Sequence, residues 1–433
     1  MLISIAVTNF LSFKHRTEMS FVRPNKAQKK APQGWPHPEI STVSAIYGAN
    51  ASGKSNLISV FNVISELFGA TTDEPRVPSR FAGSDHGSED SGSTFEVEFI
   101  AERIEYRYTV KFGNGQIDFE LLEAYYSSRA TPLFRRTPGP DDTIEVKFSP
   151  KLTGPKKSVV DLTNPKQLLL SRFNELKNNP LRAPYEGLVE SIHVIDGHHL
   201  TNASEGLIAQ IDHLSEESQE QAKEFLRQAD VGIEDVQVEK RSKEELKSLR
   251  EAMSKFLDGD DLDEAVERQS HRVTFDHRGE EGLFSLPLGA ESTGTRAMLC
   301  FIMLAIQALK SGATLVIDEI DSSLHPLLLR EAIDLFKNPT TNPSQAQLVY
   351  STHDISLLDE APLQNALLDP DQIWFVDKDN SGISSIYSLE DFEGIRAETN
   401  VYRRYLLGQF GGVPNVGELA GAIVSRDKTD TPS

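Results

Sequence analysis

An α/β fold is what this sequence predicts: a mixed or largely parallel core sheet carrying a glycine-rich turn, beside an antiparallel β subdomain and a helical lobe. Four observations predict it. Val43–Tyr47 is a short apolar strand that runs into the turn Gly48–Gly53. The residues after it, Leu57, Val60, Phe61, Ile64, Leu67 and Phe68, have helical spacing. Between Phe95 and Phe148, apolar residues alternate with polar ones in short runs, the period-two pattern of half-buried antiparallel strands. From Leu286 onward strand and helix alternate again, with an apolar strand that ends in two acids at Asp318-Glu319.

At 433 residues the chain can bury the cores of two or three lobes. Its 38% hydrophobic and 25% charged residues are the proportions of a soluble globular protein. No apolar run approaches the roughly 18 residues that span a bilayer, so no membrane role is expected. Met1–Val7 lacks the basic flank and cleavage site of a signal peptide and reads as a strand. The single cysteine, Cys300, excludes an intrachain disulfide and a cysteine-cluster zinc site, and a cytoplasmic location is expected. The net charge of −21 lends no support to nucleic-acid binding, which stays open only through small local patches: modest basic clusters occur at Lys26–Lys30 and Lys147–Lys157.

Residues 1–165 read as an N-terminal lobe with the glycine turn and the antiparallel β subdomain. The first strand is followed by Asn9-Phe10-Leu11-Ser12-Phe13 and a Pro/Lys-rich loop through Pro38. After a polar, acidic loop at Gly83–Ser93, strands are expected around Phe95–Phe99, Ile104–Val110, Ile117–Leu121 and Ile144–Phe148, with a turn at Asn114-Gly115. Residues 166–284 read as mainly helical, with polar amphipathic segments near Glu216–Gln228 and Lys243–Leu257. No heptad run is sustained, so no long coiled-coil arm is expected. Residues 285–390 form a C-terminal lobe, 391–425 a packing or partner motif, and 426–433 a polar tail expected to be disordered.

Gly48-Ala49-Asn50-Ala51-Ser52-Gly53-Lys54-Ser55 fits the phosphate-loop pattern, and its strand-before, helix-after context is the one the chemistry needs. Glycines let the backbone curl so that N–H groups and the positive helix end face phosphate oxygens. Lys54 supplies a charge for the β- and γ-phosphates, and Ser55 a hydroxyl for Mg²⁺. Leu315–Glu319 is a strand whose terminal carboxylates need a counter-charge: Asp318 suits a metal held through water, and Glu319 suits the orientation of an attacking water. Alone that pattern is an ordinary strand end; downstream of a phosphate loop it gains meaning. Glu291-Ser292-Thr293-Gly294-Thr295 precedes the apolar helix Met298–Leu309 and offers a second anion site at a helix N-terminus. Val349–Thr352 is another strand, ending at His353.

In order and spacing these pieces resemble the ABC ATPase series of Walker A, signature, Walker B, D-loop (Asp321-Ser322-Ser323-Leu324-His325) and switch histidine. Gly48-Ala49-Asn50 with Gly53-Lys54-Ser55-Asn56 resembles the SMC/RecF form of the phosphate loop. The ending Tyr405-Leu406-Leu407-Gly408-Gln409-Phe410-Gly411-Gly412-Val413-Pro414 resembles a narrower group, the stand-alone bacterial ATPases of anti-phage and abortive-infection operons such as PARIS-type systems. The resemblance implies an ABC ATPase head with ATP and Mg²⁺, and a head-to-tail homodimer or higher oligomer. ATP would lie between Gly48, Asn50, Ser52, Gly53, Lys54, Ser55 and Asn56 of one subunit and Ser292 and Gly294 of the other, with Asp321 at the D-loop. Lys54, Glu319 and His353 would be catalytic, and Ser55 and Asp318 would hold the metal. A separately encoded toprim-type nuclease is the implied partner. The chain departs from the pattern twice: its signature reads Ser-Thr-Gly-Thr where the family has Ser-Gly-Gly-Gln, and no Q-loop glutamine stands out.

Other candidates weigh less. Asp258–Glu264 has Asp263 where a calcium loop requires glycine, so it reads as a solvated helix junction. His198-His199 beside Asp196 lacks a third ligand at helical spacing. Asp377–Gly382 reads as a hairpin turn, Cys300 as core, and Arg396, Arg403 and Arg404 as a solvated face. A regulatory ATPase of a defence operon is therefore expected ahead of a RecF-like factor that clamps DNA. A transporter subunit is disfavoured by the long insert, the unusual signature and the missing membrane segment. A self-contained nuclease is disfavoured by the short stretch after His353.

Overall fold

The computed structural model describes residues 1–24, 39–67, 80–81, 92–113, 115–141, 143–197, 200, 215–228, 232–280, 282–322, 324–358, 367–395 and 399–413. Lys26–Lys30, most of the acidic loop, Asn114, His198-His199, Ser323, Arg396 and all of 414–433 lie outside the described residues. In chain order the strands are β1 (Leu2–Thr8), β2 (Thr17–Ser20), β3 (Val43–Tyr47), β4 (Ser93–Ala101), β5 (Ile104–Phe112), β6 (Ile117–Tyr125), β7 (Thr131–Pro138) and β8 (Ile144–Phe148). They continue as β9 (Ile192–Asp196), β10 (Ile233–Lys240), β11 (His271–Gly279), β12 (Gly282–Pro287), β13 (Thr314–Asp318), β14 (Gln347–Ser351), β15 (Ile373–Lys378) and β16 (Ser384–Ser388).

Among the described residues these strands make three sheets. The central sheet has the order β16-β15-β3-β14-β13-β9; five strands are parallel and β16 is an antiparallel edge. β3 and β14 are buried along their whole length, as parallel strands covered on both faces must be. Alternate residues feed two cores. Val43, Ala45 and Tyr47 join Leu315, Tyr350 and Phe375 against the helices Thr293–Ser311 and Pro326–Lys337. Ile46, Val316, Val349 and Val376 join Leu57, Val60 and Phe61 of the helix Lys54–Asn62 and the inner face of the second sheet.

That second sheet is antiparallel, with the order β2-β1-β4-β5-β6-β7-β8. Gln347, 1% exposed, ties it to the central sheet: its side-chain oxygen accepts from Leu2 N at 2.6 Å, and its amide donates to Leu2 O at 3.0 Å and Ser41 O at 3.2 Å. The mixed α/β architecture therefore follows the sequence expectation, and among the described residues the longest helix is Thr293–Ser311, with no long coiled-coil arm. No helix there is long and apolar enough to cross a membrane.

Two stretches differ from the sequence reading. β7 went unread because Pro132, Pro138 and the pair Arg135-Arg136 look hostile to a strand. Arg136 is instead wholly buried: it meets Glu120 at 3.3 Å and donates to the carbonyls of Gln167, Asn164 and Pro165. Glu120, equally buried, accepts from Tyr108 Oη at 2.7 Å, Leu169 N at 2.9 Å and Leu170 N at 3.0 Å. Residues 166–284, read as mainly helical, also supply β9 to the central sheet and form a three-stranded sheet, β10-β11-β12. Short runs such as Val236-Gln-Val238, interrupted by acids, gave too weak a period to read. Between β10 and β11 the helices Lys243–Met253 and Gly259–Arg268 stand out as a hairpin with Phe256 exposed at its turn; the acidic stretch from Asp258 begins the second of these helices.

Substituting Glu120 by Ala strands the Arg136 charge and two backbone N–H groups inside the protein. We expect a loss of about 3–5 kcal/mol of stability in denaturant unfolding. An unchanged unfolding midpoint would contradict the role given to this pair.

Candidate functional site

The parallel order places the C-terminal ends of β3, β13, β14 and β15 in one row, and the expected chemistry lies along that row. β3 ends at Tyr47, the chain curls through Gly48–Gly53, and the helix Lys54–Asn62 starts at once. Gly53 has φ +115°, and a Cβ there would lie 2.5 Å from Ser384 Oγ and 2.9 Å from Ser12 Oγ. Both the backbone angle and the close approach require glycine. The loop is laced to distant parts of the chain: Ser384 Oγ donates to Ser52 O at 2.6 Å and lies 2.8 Å from Ser12 Oγ, which accepts from Asn56 Nδ2 at 2.7 Å.

Lys54 is 6% exposed, and its ammonium donates to Gly48 O at 2.8 Å and Ala49 O at 3.3 Å. Burial pushes its pKa below the ordinary lysine value, against the pull of Asp318, Glu319 and Asp321. A desolvated cation resting on loop carbonyls is poised to exchange them for an anion. Asn50, Gly53, Lys54, Ser55 and Asn56 line an open cleft of 650 Å³, with Glu319, His353 and Lys378. Gly48 and Ser52 stand behind this lining, and the Ser52 hydroxyl is buried with no hydrogen-bond partner.

Across the cleft, Ser351 at the end of β14 organises the acids. Its hydroxyl donates to Asp318 Oδ1 and accepts from Glu319 N at 2.8 Å. Glu319 adopts φ +52°, an unusual angle for a side-chain-bearing residue, which turns the chain out of β13 into the short helix Ile320–Ser322. Asp321 then accepts from His353 N at 3.1 Å, and His353 Nε2 lies 4.0 Å from Glu319 Oε1. Asp321 thus braces the histidine from behind instead of lining the cleft. Among the described residues no three His, Cys, Asp or Glu side chains gather to hold a metal alone. A hydroxyl at Ser55 and a carboxylate at Asp318 suit a cation that takes its other ligands from phosphate and water.

Ser292 and Gly294 are exposed and do not join this cleft. Ser292 caps the helix Thr293–Ser311, accepting from Thr295 N at 3.0 Å, and the preceding Glu291 meets His277 Nε2 at 2.6 Å. The turn Asp377–Gly382 is the β15–β16 hairpin, with Asp379 accepting from Ser381 N at 2.8 Å and Ile383 N at 2.9 Å. Sequence reasoning missed Lys378, whose place on the cleft follows only from the strand order. It also missed Ser12, Ser351 and Ser384, single serines with no local signal. A second cavity, of 560 Å³, opens beside the cleft across Asn56, lined by Ser12, Lys14 and Phe81, with Lys14 Nζ 6.0 Å from the Phe81 ring centre.

No curated protein matches this chain significantly. Its structure is similar to that of an SMC head domain from Thermotoga maritima, at 18% sequence identity and a TM-score of 0.39, over 89% of this chain and 98% of that one. Residues 43–359 match the family described as "AAA domain, putative AbiEii toxin, Type IV TA system", a span that runs from β3 through the glycine loop, Asp318-Glu319 and His353. By that match, which takes in most of its length, the chain belongs to this AAA ATPase family.

Proposed function

We propose that the protein binds and hydrolyses ATP between two copies of itself, as an ABC-type ATPase does. The observation that carries this is the split of the site: Lys54, Ser55, Glu319 and His353 meet at one open cleft, while Ser292 and Gly294 lie at an exposed helix N-terminus outside it. In this reading a second copy supplies its Ser292 and Gly294 to the cleft through a two-fold contact. Lys54 leaves the carbonyls of Gly48 and Ala49 for the β- and γ-phosphates, and loop N–H groups meet the phosphate oxygens. The base and ribose enter the second cavity beside Asn56, where Phe81 offers an apolar face. Glu319 orients the attacking water, and His353, braced by Asp321, contacts the γ-phosphate. Ser55 and Asp318 are the side chains that would hold Mg²⁺, which supplies charge neutralisation on the transferring phosphoryl group.

In the proposed division of the chain, 1–165 and 285–390 are the two ATPase lobes, 166–284 is an insert and 391–425 a packing or partner motif. The family description supports a regulatory ATPase of a bacterial anti-phage or abortive-infection system, and the resemblance of the ending Tyr405–Pro414 to the ATPases of such operons supports a cytoplasmic protein acting with a toprim-type nuclease as effector. Native co-purification from the source cell with mass measurement tests the partner; a solitary protein with strongly DNA-stimulated turnover would overturn it.

We expect Lys54→Ala to weaken ATP binding by about 10- to 100-fold, the loss of a charge-assisted contact, in a fluorescent-nucleotide titration. Glu319→Gln should bind ATP normally, lose about 10²–10⁴-fold in turnover and accumulate as an ATP-bound dimer on size exclusion with light scattering. Normal turnover with no self-association in that variant would refute the assignment. Ser292→Arg should keep nucleotide binding and abolish the ATP-dependent mass increase.

A further inference from the structure

The C-terminal segment packs directly behind the phosphate loop. Phe410, 1% exposed, stacks on Phe375 of β15 with ring centres 5.7 Å apart, and Tyr405 stacks on the same ring at 5.5 Å and edges onto Tyr47 at 6.2 Å. Two hydroxyls, one buried and one half-buried, close the segment on itself and on the sheet: Tyr405 Oη donates to Gly412 O at 2.9 Å, and Tyr387 Oη of β16 donates to Phe410 O at 2.8 Å. Burial raises both phenols to about 12, so they act as neutral donors. Gly412 has φ +65°, and a Cβ there would lie 3.5 Å from Gly48 Cα and 3.8 Å from Val376 O. A Cβ on Gly48 would in turn fall 2.5 Å from Val376 O. The first residue of the phosphate loop is thus close against the end of β15, with Gly412 beside it and the Tyr405 ring against the preceding Tyr47, and its carbonyl is the one on which Lys54 rests.

We propose that Tyr405 and Gly412 are positioning residues for the phosphate loop: the segment Val401–Val413 holds Gly48 in place from behind and so sets both the shape of the amide cradle and the release of Lys54. Nothing in the chemistry of phosphate binding requires such a brace; this chain adds it through residues far from the loop in sequence. The outer side of the same helix, Val401–Leu406, and its continuation leave Arg403, Leu406 and Leu407 exposed, so the brace can be reached from outside without entering the cleft.

This inference rests on the ATP-binding reading, and the test separates the two. Tyr405→Phe removes one hydroxyl and keeps the stacked ring; Tyr387→Phe and Gly412→Ala are companion variants should the first fold poorly. In the full-length protein without nucleotide, hydrogen–deuterium exchange across residues 43–56 should accelerate about fivefold, the loss of one hydrogen bond, while the β6–β7 turn is unchanged. ATP affinity should fall by a similar factor, with turnover at saturation nearly retained. Unchanged exchange at the loop in every folded variant overturns the positioning role, whatever ATP does. Accelerated exchange in a protein whose wild type ignores ATP supports the brace and sinks the nucleotide reading instead.

Discussion

Parallel pairing in the central sheet is the constraint on which the rest depends. Parallel strands cannot be joined by tight hairpins, so each returns through a crossover and all end at the same edge. In this chain that edge collects Gly48 after β3, Asp318 on β13, His353 after β14 and Lys378 on β15, residues drawn from widely separated parts of the sequence. The buried alternation of β3 and β14 fixes their register, since a slip by one residue would send Tyr47 and Tyr350 into the opposite core. Site geometry and core packing are therefore the same specification.

Electrostatics at this edge are held in tension. Three carboxylates, Asp318, Glu319 and Asp321, stand near one desolvated lysine, and each acid or its backbone is committed: Asp318 to the Ser351 hydroxyl, Glu319 N to the same oxygen, Asp321 to the His353 amide. The lysine alone rests on neutral carbonyls. That asymmetry leaves the lysine as the group whose partners a phosphate can replace.

Much of this was legible beforehand, and what was not has a physical reason. The phosphate loop reads from sequence because its backbone angles admit few residues, as Gly53 shows, and the strand before Asp318 reads because an apolar run ending in two acids gains meaning downstream of that loop. The antiparallel strands β4 to β6 read from alternation alone. β7 did not, because its buried arginine is satisfied only by partners between Glu120 and Gln167 that no local window contains. Ser12, Ser351 and Ser384 were silent for the same reason: a serine acquires meaning from the two groups it bridges, and those lie in other parts of the chain. The ending Tyr405–Val413 stood out in sequence, but its packing against Tyr47, next to Gly48, became visible only in three dimensions.

The helical hairpin between β10 and β11 has a consequence for how such chains diversify. Its base is closed by the pairing of Lys240 with His271, and Arg272 reaches back to Glu245 at 2.5 Å, while Phe256 at the tip is exposed. Whole helical turns can be gained or lost at that tip in register, each adding about 5.4 Å of reach. The hairpin tip is thus a place where chain length can change without altering the pairing of β10 with β11.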